Sequence, residues 1–435
     1  MKFLYSDTLD YVDPNYDFIK DENAPNRKKY WDDQYAHELM NTDPYDGLLI
    51  AISALKSVPG ANISKTRYST AEEQRFLREG ARKFLRFDTE QHKNKIIMGD
   101  CGSFAYADLK KPAFEPWEVV EFYGQAQFTH GCHPDHIIFA FDNQNPTRAD
   151  VDSDIGDRFD ITIDNADQFL KIAKKEKEAF EPIGVVQGWS PESMAKAALS
   201  LEKMGYKYLA LGGLVPLSTP DIHLVIQAVK KVLKKTTKIH LLGFAKADAI
   251  HEFVKYGIDS FDSTSPLIRA FKDHSRNFFM PTTDGTTLNY FTAIRIPQAL
   301  ENNKLLNAIK SGLLNANKLK SMEILALDSL RGFDKGLVSL DATIENVIEY
   351  QKCLILASES DPIKRSRKEA KAASDVEKTL RSAPWKNCDC TICKTIGVDV
   401  IIFRASNRNK RRGFHNLAVY LEHVKKLTVK NNGKV

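Results

Sequence analysis

Short apolar runs that lead into a polar residue recur through the central part of the chain. Four of them lie at residues 96–100, 137–142, 184–188 and 260–266. They carry, in the same order, Asp100, Asp142, Gln187 and Asp262. The last run closes at a proline, which cannot donate to a sheet ladder and therefore ends a strand. One enclosed pocket can receive all four side chains, and we expect it to be the active site.

Strand-like runs alternate with helical stretches from about residue 66 onward. The predicted strands lie near 95–100, 136–142, 182–188, 208–212, 238–244 and 258–262. The predicted helices lie near 116–130, 164–180, 190–205, 219–236 and 246–256. Proline in the first turn after Ser190 and Ser218 marks two of the helix starts. The strands are apolar without alternation, which indicates burial on both faces, as in parallel α/β sheets.

The number of strand–helix units bears on the fold class. At least six units in a row, with polar residues at the carboxyl ends of their strands, favour an α/β fold of the (β/α)8 TIM barrel type. A doubly wound sheet is the alternative, but it would be expected to show a glycine-rich fingerprint after its first strand, and the sequence has none.

We expect three regions along the chain. Residues 1–60 are predicted to form an N-terminal cap and residues 61–360 the catalytic barrel. Residues 361–435 are predicted to be a basic linker and an appended structural zinc-binding subdomain. This segment is also a candidate for supplying the last part of the barrel. A polar loop over 272–296 directly follows the Asp262 strand, and long loops in compact domains tend to be functional.

Composition and charge narrow the protein class. With 43% hydrophobic and 27% charged residues, the chain is typical of a folded protein. No apolar run reaches the roughly 18 residues of a membrane span, and the first residues lack a signal-peptide core. We therefore expect a cytoplasmic protein without a membrane partner. The net charge of +5 includes dense basic patches at 364–368 and 404–412, which are either solvated faces or contacts for phosphates.

Three cysteines near the C-terminal end indicate a metal site. Cys388, Cys390 and Cys393 lie within six residues, and His415 follows. Three thiolates and one imidazole complete the tetrahedral set of a structural zinc ion and leave no open position for catalysis. The alternative is a group of reduced, buried cysteines with His415 on a helix face.

A second ligand-rich stretch precedes the predicted strand at 136–142. It contains His130, Cys132, His133, Asp135 and His136. The intervening glycine and proline suggest a loop, and no further ligand is identifiable, so metal binding is the less favoured reading of this stretch.

The carboxylates at the strand ends suggest a reaction class. A lone aspartate in such a position often caps the next helix. Two carboxylates in one pocket are able to divide labour, one as nucleophile and one as proton donor and acceptor. At an anomeric carbon, this arrangement exchanges one leaving group for another with retention. Gln187 and the backbone beside Gly212 and Gly213 suit the edge of a flat heterocycle, and Phe104 suits its face.

Five ordered motifs, the last of which carries the metal ligands, resemble those of the tRNA-guanine transglycosylases. The motifs lie at residues 99–104, 184–188, 211–214, 257–262 and 388–393 with His415 and Asn416. Members of that family are TIM barrels with an appended zinc site, and they swap a guanine for a 7-deazaguanine in an intact nucleic acid. The resemblance implies that Asp262 is the nucleophile on C1′ and Asp100 the general acid and base. It also implies base contacts, and these would come from Phe104, Asp142, Gln187, Gly212, Gly213 and Leu214.

Other segments resemble the DNA-modifying DpdA branch of this family. These segments are residues 3–18 and 403–416, whereas Ser103, Ala105 and Asn143 depart from the pattern of the tRNA enzymes. The branch inserts 7-cyano-7-deazaguanine (preQ0) into DNA in place of guanine, and accessory proteins are possible partners. The resemblance implies that duplex DNA binds with the target guanine flipped out, and our hypothesis is that loop 272–296 holds the displaced strand. The expected phosphate contacts are Arg269, Arg404, Arg408, Lys410, Arg411 and Arg412.

Two alternatives stay open from the sequence. The first is a tRNA-guanine transglycosylase with the same chemistry on RNA. The second is a catalytically inactive barrel that binds nucleic acid through the zinc subdomain and the basic patches. The presence of both Asp262 and Asp100 favours an enzyme, because a binding module needs neither carboxylate. The oligomeric state is not indicated.

Overall fold

A computed structural model of the chain describes residues 1–6, 9–58, 60 and 67–432. Its central feature is a closed barrel of eight parallel strands in which each strand pairs with the next along the chain and the eighth pairs with the first. The strands are β1 Lys2–Ser6, β2 Gly47–Ala51, β3 Ile96–Asp100, β4 His130–Cys132, β5 Glu181–Val186, β6 Tyr208–Leu211, β7 Lys238–Leu241 and β8 Ser260–Asp262. The predicted TIM barrel is confirmed.

Inward-facing side chains from almost all of the strands fill the barrel. The cluster is made of aliphatic and small residues with two sulfur-containing side chains and one tyrosine, and its members are Leu4, Leu49, Ile96, Met98, Cys132, Ile183, Val185, Tyr208 and Ala210. Such filling makes the barrel a packed core rather than a pore, so polar side chains at the carboxyl ends of the strands lie at its mouth.

The chain divides into two compact units. The first comprises Met1–Leu9, Tyr45–Thr264 and Val424–Val435, and the second comprises Asp10–Pro44 and Ser265–His423. The expected N-terminal cap over residues 1–60 is therefore wrong, because β1 and β2 are barrel strands. The expected barrel limits of 61–360 are wrong for the same reason at one end, and because the barrel is complete by Asp262 at the other.

The first unit has helices after most strands of its barrel. The α-helices are Ile52–Leu55, Thr70–Glu79, Ala81–Phe84, Pro116–Gln125, Ser153–Lys175, Pro191–Met204, Thr219–Val232 and Ile250–Phe253, and the 3-10 helices are Ser103–Tyr106, Ala247–Ala249 and Val254–Tyr256. The side chains of Ser190 and Ser218 accept from backbone N–H groups in the first turn of their helices, as their sequence signals predicted.

The second unit is mainly helical with short strands. Its strands are Tyr11–Val12, Gln34–Tyr35, Phe278–Pro281, Leu288–Phe291, Ile294–Arg295 and Ile402–Phe403. Its helices are Ala36–Leu39, Ser265–Lys272, Asn303–Lys310, Ala316–Asp334, Leu340–Leu356, Pro362–Ser382, Thr391–Ile396 and the 3-10 helix Gly397–Val400, and Ser406–Asn432 begins in this unit. Residues 272–296 are not an open loop, because Phe278–Pro281 and Leu288–Phe291 pair as an antiparallel hairpin.

The fourth strand lies earlier than its apolar pattern predicted. Barrel pairing is made by β4, whereas the apolar residues 137–138 follow it as buried irregular chain. Polar residues are tolerated near this strand because their partners lie on its neighbours. Thr129 bonds to the backbone of Ile97, and His130 contacts Glu181. The expected strand at 136–142 is therefore wrong.

None of the helices within the described ranges has the length and apolar character needed to cross a bilayer.

Candidate active site

Asp262 ends β8 with its carboxylate held by three donors. The backbone N–H of Gly243 donates to Oδ1 over 2.7 Å, and Nε2 of His240 lies 3.1 Å from the same oxygen. The hydroxyl of Ser6, at the end of β1, donates to Oδ2 over 2.7 Å. An ionised carboxylate only accepts hydrogen bonds, so a site made of three donors suits its charged form.

A chain of buried polar groups supports His240 from behind. Its Nδ1 lies 2.5 Å from the hydroxyl of Ser260, which lies 2.5 Å from the phenol oxygen of Tyr208. All three side chains are buried in the barrel. Because Nε2 faces a carboxylate, we assign the ring proton to Nε2, and in this tautomer Nδ1 accepts from the hydroxyl of Ser260. Every donor in this chain has an acceptor.

Asp100 ends β3 in different surroundings. Its Oδ2 accepts from the backbone N–H of Gly102, a residue in the left-handed region with φ 77°. A side chain at Gly102 would place its Cβ 1.9 Å from Oγ of Ser53. Desolvation, followed by the charges of Asp135 and Asp262, raises the pKa of Asp100 to about 7. The carboxyl group therefore exchanges a proton near neutral pH.

Asp135 connects Asp100 with Gln187. It is fully buried, and it accepts from Sγ of Cys101 over 3.0 Å, from the hydroxyl of Ser103 over 3.3 Å and from Nε2 of Gln187 over 2.6 Å. Burial raises the pKa of its carboxyl group. Asp100, Cys101 and Asp135 lie close enough together to hold a cation, but the oxygens of Asp135 already accept from the side chains named above.

The Gln187 amide is fixed at both ends. Its Oε1 accepts from the backbone N–H of Ile138 over 3.3 Å while its Nε2 donates to Asp135. The backbone after β6 passes close beside it, since a Cβ at Gly212 would lie 2.4 Å from Nε2 of Gln187. Gly213 adopts φ 70°, and Leu214 is buried. The structure therefore brings Gln187 and the glycine pair together, as the sequence predicted.

Two aromatic rings are exposed beside this site. Phe104, in the 3-10 helix after β3, is 50% exposed, and Phe139 is 48% exposed. Their ring centroids are 5.6 Å apart. Large apolar rings with this exposure are available to stack on a planar ligand.

Asp142 lies on a turn after this exposed pair. Its N–H donates to the carbonyl of Trp189, and its Oδ1 accepts from the N–H of Gln144 over 2.8 Å. None of its described hydrogen bonds reaches Asp100, Gln187 or Asp262. Its expected role in base binding stays a prediction.

The structure corrects the expected phosphate contacts of the C-terminal helix. Arg408 and Arg412 are completely buried, and Arg404 and Arg411 are nearly so. Arg404 and Arg408 both pair with Asp21, and Arg404 also pairs with Glu323. Partners within the second unit hold these guanidinium groups, so they are not available to nucleic acid.

The remaining two predicted cations are also engaged. Lys410 lies 3.6 Å from Oδ1 of Asp10 and is partly exposed. The Arg269 guanidinium lies 6.0 Å from the centre of the Tyr290 ring. For these residues a phosphate contact stays a prediction.

The four predicted metal ligands converge in the second unit. Nδ1 of His415 lies 3.5, 3.4 and 3.5 Å from the sulfur atoms of Cys388, Cys390 and Cys393. Zinc bonds of about 2.3 Å to sulfur and about 2.0–2.1 Å to nitrogen, at a tetrahedral angle, separate these atoms by about 3.5 Å. Nε2 of His415 donates to the carbonyl of Phe279 over 2.8 Å, which leaves Nδ1 free to bind metal. The donor set fits a closed zinc site.

Three residues of the site were missed from the sequence. Ser6 was assigned to a cap, His240 sits inside an apolar strand, and Asp135 was considered only as a metal ligand. The run at residues 238–244 carries Gly243 next to its last residue, and a glycine near the end of a strand is the signal that indicated Gln187 and Gly212. No signal in the sequence placed Ser6 beside Asp262.

The comparisons with known proteins agree with this geometry. A family model described as Queuine tRNA-ribosyltransferase matches residues 68–289. A DNA-guanine transglycosylase from Salmonella montevideo is 36% identical over 420 residues, which are 96% of this chain and 95% of the relative. Queuine tRNA-ribosyltransferases from Histophilus somni and Mannheimia succiniciproducens are 29% and 28% identical over 147 and 158 residues, about a third of this chain and 37% and 38% of each relative. The chain therefore belongs to the tRNA-guanine transglycosylase family and is a glycosyltransferase of the pentosyltransferase class.

Proposed function

We propose that the enzyme exchanges guanine in DNA for 7-cyano-7-deazaguanine through a covalent bond between Asp262 and deoxyribose. The observation that carries the proposal is the difference between two carboxyl groups at one barrel mouth. Asp262 is surrounded by three donors, whereas the pKa of Asp100 is raised to about 7 by desolvation, Asp135 and Asp262. One group suits a nucleophile and the other a proton carrier.

The reaction then proceeds in two displacements. An oxygen of Asp262 bonds to C1′ as the bond from C1′ to guanine breaks, and protonated Asp100 gives its proton to the departing base. The incoming deazaguanine returns a proton to Asp100 as its ring nitrogen bonds to C1′ and the bond to Asp262 breaks. Two inversions give net retention, and the glycosidic bond is conserved without an energy source.

Among the described residues, Oδ2 of Asp262 accepts only from Ser6, whereas Oδ1 accepts from Gly243 and His240. We assign the attack on C1′ to Oδ2, because fewer hydrogen bonds must weaken when this oxygen forms the covalent bond.

The base is proposed to lie between the aromatic pair and the Gln187 amide. The target guanine must leave the duplex stack, which costs a few kcal/mol. Stacking on Phe104 and hydrogen bonds to Gln187 and to backbone beside Gly213 offset part of this cost. Asp135 fixes the orientation of the Gln187 amide. We keep Asp142 in the proposal as a carboxylate that accepts a hydrogen bond from the edge of the base.

The extent of similarity favours DNA over tRNA. The DNA-guanine transglycosylase matches nearly the whole chain, whereas the named tRNA enzymes match about a third. The tRNA reaction is the second candidate, supported by the family model over the barrel. The arrangement of Asp100 and Asp262 argues against a barrel that only binds nucleic acid. We expect the reaction to take place in the cytoplasm, because its proposed substrate is nucleic acid.

We also propose that zinc binds to Cys388, Cys390, Cys393 and His415. A zinc ion in this site would cross-link the segment around helix Thr391–Ile396 to helix Ser406–Asn432, and His415 would hydrogen-bond the hairpin that carries Phe279 at the same time. The ion would take no part in base exchange, because four protein ligands leave no open position.

The test supplies labelled 7-cyano-7-deazaguanine and labelled guanine with duplex DNA and, separately, with tRNA. We expect label in DNA. Asp262→Asn should abolish both the label and any denaturation-resistant protein–DNA adduct. Asp164→Asn, an exposed aspartate on helix Ser153–Lys175, is the matched control and should retain both. Label in tRNA alone would overturn the choice of DNA, and an adduct that persists in Asp262→Asn would overturn the assigned nucleophile.

A further inference from the structure

Because the C-terminal arginines are buried, a phosphate contact made by the second unit must come from other cations. Helix Pro362–Ser382 carries seven basic and three acidic side chains, in a chain whose net charge is +5. One side of this helix packs, with Val376, Thr379 and Leu380 buried. Four cations near its N-terminal end are well separated from these positions.

These four cations lie on one side of the helix. They are Lys364, Arg367, Lys368 and Lys371, here called the basic face, and all four side chains are exposed. At about 100° per residue they fall within an arc of about 100°, and at 1.5 Å per residue they extend over about 10 Å. This is a compact positive surface of the kind that attracts phosphates.

Existing ion pairs do not block the basic face. Lys368 pairs with Glu359 over 2.8 Å, Lys371 with Asp375 over 2.8 Å, and Lys364 approaches Asp361 at 3.9 Å. In the part of the chain that the structure describes, Arg367 has no ion pair. The lysine ends of these pairs are exposed, and ion pairs at the surface are weak and screened by salt, so a phosphate is able to compete with the carboxylate for the lysine.

We propose that the basic face binds the phosphodiester backbone of the DNA substrate. The proposal rests on the proposed function for the identity of the nucleic acid, and it commits to phosphate contacts rather than base recognition. Such contacts fix the position of the duplex without reading its sequence. Their binding free energy depends on salt, because each neutralised phosphate releases counterions.

The chain offers a charge-matched control in its first unit. Lys230, Lys231, Lys234 and Lys235 are exposed at and beyond the end of helix Thr219–Val232, just before β7 starts. This places them toward the face of the barrel opposite the carboxyl ends of the strands, where the active site lies. Removing these four charges changes the net charge by the same amount as removing the basic face.

The experiment compares the parent with K364A/R367A/K368A/K371A and with K230A/K231A/K234A/K235A. Binding to a fluorescent duplex is measured at a series of KCl concentrations, and base exchange is measured at saturating DNA. We expect the basic-face variant to bind roughly tenfold or more weakly, with the slope of log K against log salt reduced by about 0.9 for each lost contact. The control should bind like the parent, and both variants should keep the parent's exchange rate at saturation.

The two proposals fail separately in this design. If the basic-face variant binds DNA with the parent's affinity and salt slope, the proposed phosphate surface is wrong. Base exchange by the parent would still support the proposed function in that case. Parental binding to tRNA but not to duplex DNA, or an equal loss in the control variant, would also overturn the phosphate surface. A specific binding loss without exchange by the parent would uphold the surface and reject the proposed function.

The polar chain behind Asp262 carries a second inference independently. We infer that His240 is a positioning residue, which holds Oδ1 of Asp262 so that the carboxylate faces C1′. The support is the continuous series from Tyr208 through Ser260 to His240 and Asp262, with all four groups buried. A misplacement of about 1 Å at a reacting group is able to cost roughly a hundredfold in rate.

Three variants test this role on whichever nucleic acid the parent labels. His240→Phe removes both hydrogen bonds, and we expect kcat to fall roughly a hundredfold while KM for the base is unchanged. His240→Gln keeps an N–H donor and should recover at least about tenfold of the loss. Ser260→Ala removes the support of Nδ1 and should lower kcat less than His240→Phe. His223→Phe, which alters a partly buried histidine on helix Thr219–Val232, controls for a general loss of stability.

Two outcomes would overturn the role of His240. One is an unchanged kcat in His240→Phe. The other is an equal loss in His240→Phe and His240→Gln that follows their melting temperatures, because a purely structural histidine would behave in this way.

Discussion

Asp100 and Asp262 are the same residue type at equivalent strand ends, and their surroundings give them different chemistry. Asp262 faces a backbone N–H, an imidazole and a hydroxyl, all of which donate. Asp100 accepts from the N–H of Gly102 and lies near the carboxyl groups of Asp135 and Asp262. These surroundings suit Asp262 to the proposed role of nucleophile and Asp100 to the proposed role of proton carrier, although the two residues are of the same type.

The raised pKa of Asp100 predicts a pH-dependent stability. Its pKa is about 7 in the folded protein and close to 3.8 when unfolded, so the unfolded chain loses this proton first as pH rises. The parent is therefore destabilised progressively between about pH 4 and pH 7 relative to a variant without the carboxyl group. Asp100→Asn should gain melting temperature over the parent across this window, with a constant gain above pH 7.

Thermal melts of the parent and Asp100→Asn at intervals from pH 4 to pH 8 measure this effect. Asp164→Asn should show a difference that does not vary over the same range. A gain that is equal at all pH values would contradict the assigned pKa. Base exchange by Asp100→Asn should be lost throughout, because the amide carries no transferable proton.

At the scale of elements, helix Ser406–Asn432 shows why basic residues in a sequence are ambiguous. All five N–H groups of Arg412 donate to oxygen atoms, four of them to the carbonyls of Ala270, Val400 and Ile402. Burial lowers the pKa of this guanidinium to about 9. The basic run at 404–412 has the composition of a phosphate-binding site, but in the structure its arginines hold the helix against neighbouring segments. The sequence does not reveal this role, because several of the partner residues are distant in sequence.

Replacing this anchor should affect folding rather than nucleic-acid binding. Arg412→Met leaves several buried carbonyls without a donor, and we expect a loss of at least about 3 kcal/mol in the free energy of unfolding. Lys410→Ala, on the same helix but partly exposed, should cost less than about 1 kcal/mol. Urea denaturation measures both. A weaker affinity for DNA in Arg412→Met at unchanged stability would restore the original phosphate assignment.

The metal site predicts a stability effect that is separate from catalysis. Cys393→Ser should lower the bound zinc from the expected one ion per chain to nearly none and lower the melting temperature, because its thiolate is one of the four proposed ligands. Cys353→Ser is the matched control, since Cys353 lies outside the cluster and should leave the zinc content unchanged. Metal content by mass spectrometry decides the result. Full zinc in Cys393→Ser would exclude this residue as a ligand.

At the scale of the whole molecule, local patterns predicted the barrel but not its limits. The regular alternation between residues 95 and 262 was sufficient to distinguish a closed barrel from a doubly wound sheet. β1 was missed because it is followed by an excursion into the second unit, so no strand–helix rhythm marks it, and the apolar residues 47–52 did not by themselves distinguish a strand from the start of a helix. Asp100, Gln187 and Asp262 were found because strand ends are visible in sequence. Asp135 and Ser6 were not, because their positions depend on long-range pairing.

Because β1 closes the barrel by pairing with β8, we expect substitutions at the contact between these two strands to destabilise the fold. Phe3 is completely buried, and its ring stacks on that of Phe261 in β8 with centroids 5.3 Å apart. Phe3→Ala should cost about 3–5 kcal/mol in the free energy of unfolding. Lys2→Ala, exposed on the same strand, should change it by less than about 0.5 kcal/mol. Equal effects of the two substitutions would contradict the assignment of β1 to the barrel.

The hydrogen bond between Ser6 and Asp262 has a consequence for the order in which the enzyme is made. The two residues are 256 positions apart, so Ser6 leaves the ribosome long before Asp262 is translated. Contacts between such distant parts of a chain form late, because the intervening loop must be closed first. A nascent or partly folded chain therefore lacks the complete surroundings of the proposed nucleophile, and we expect it to exchange no base until the first strand of the barrel pairs with the last.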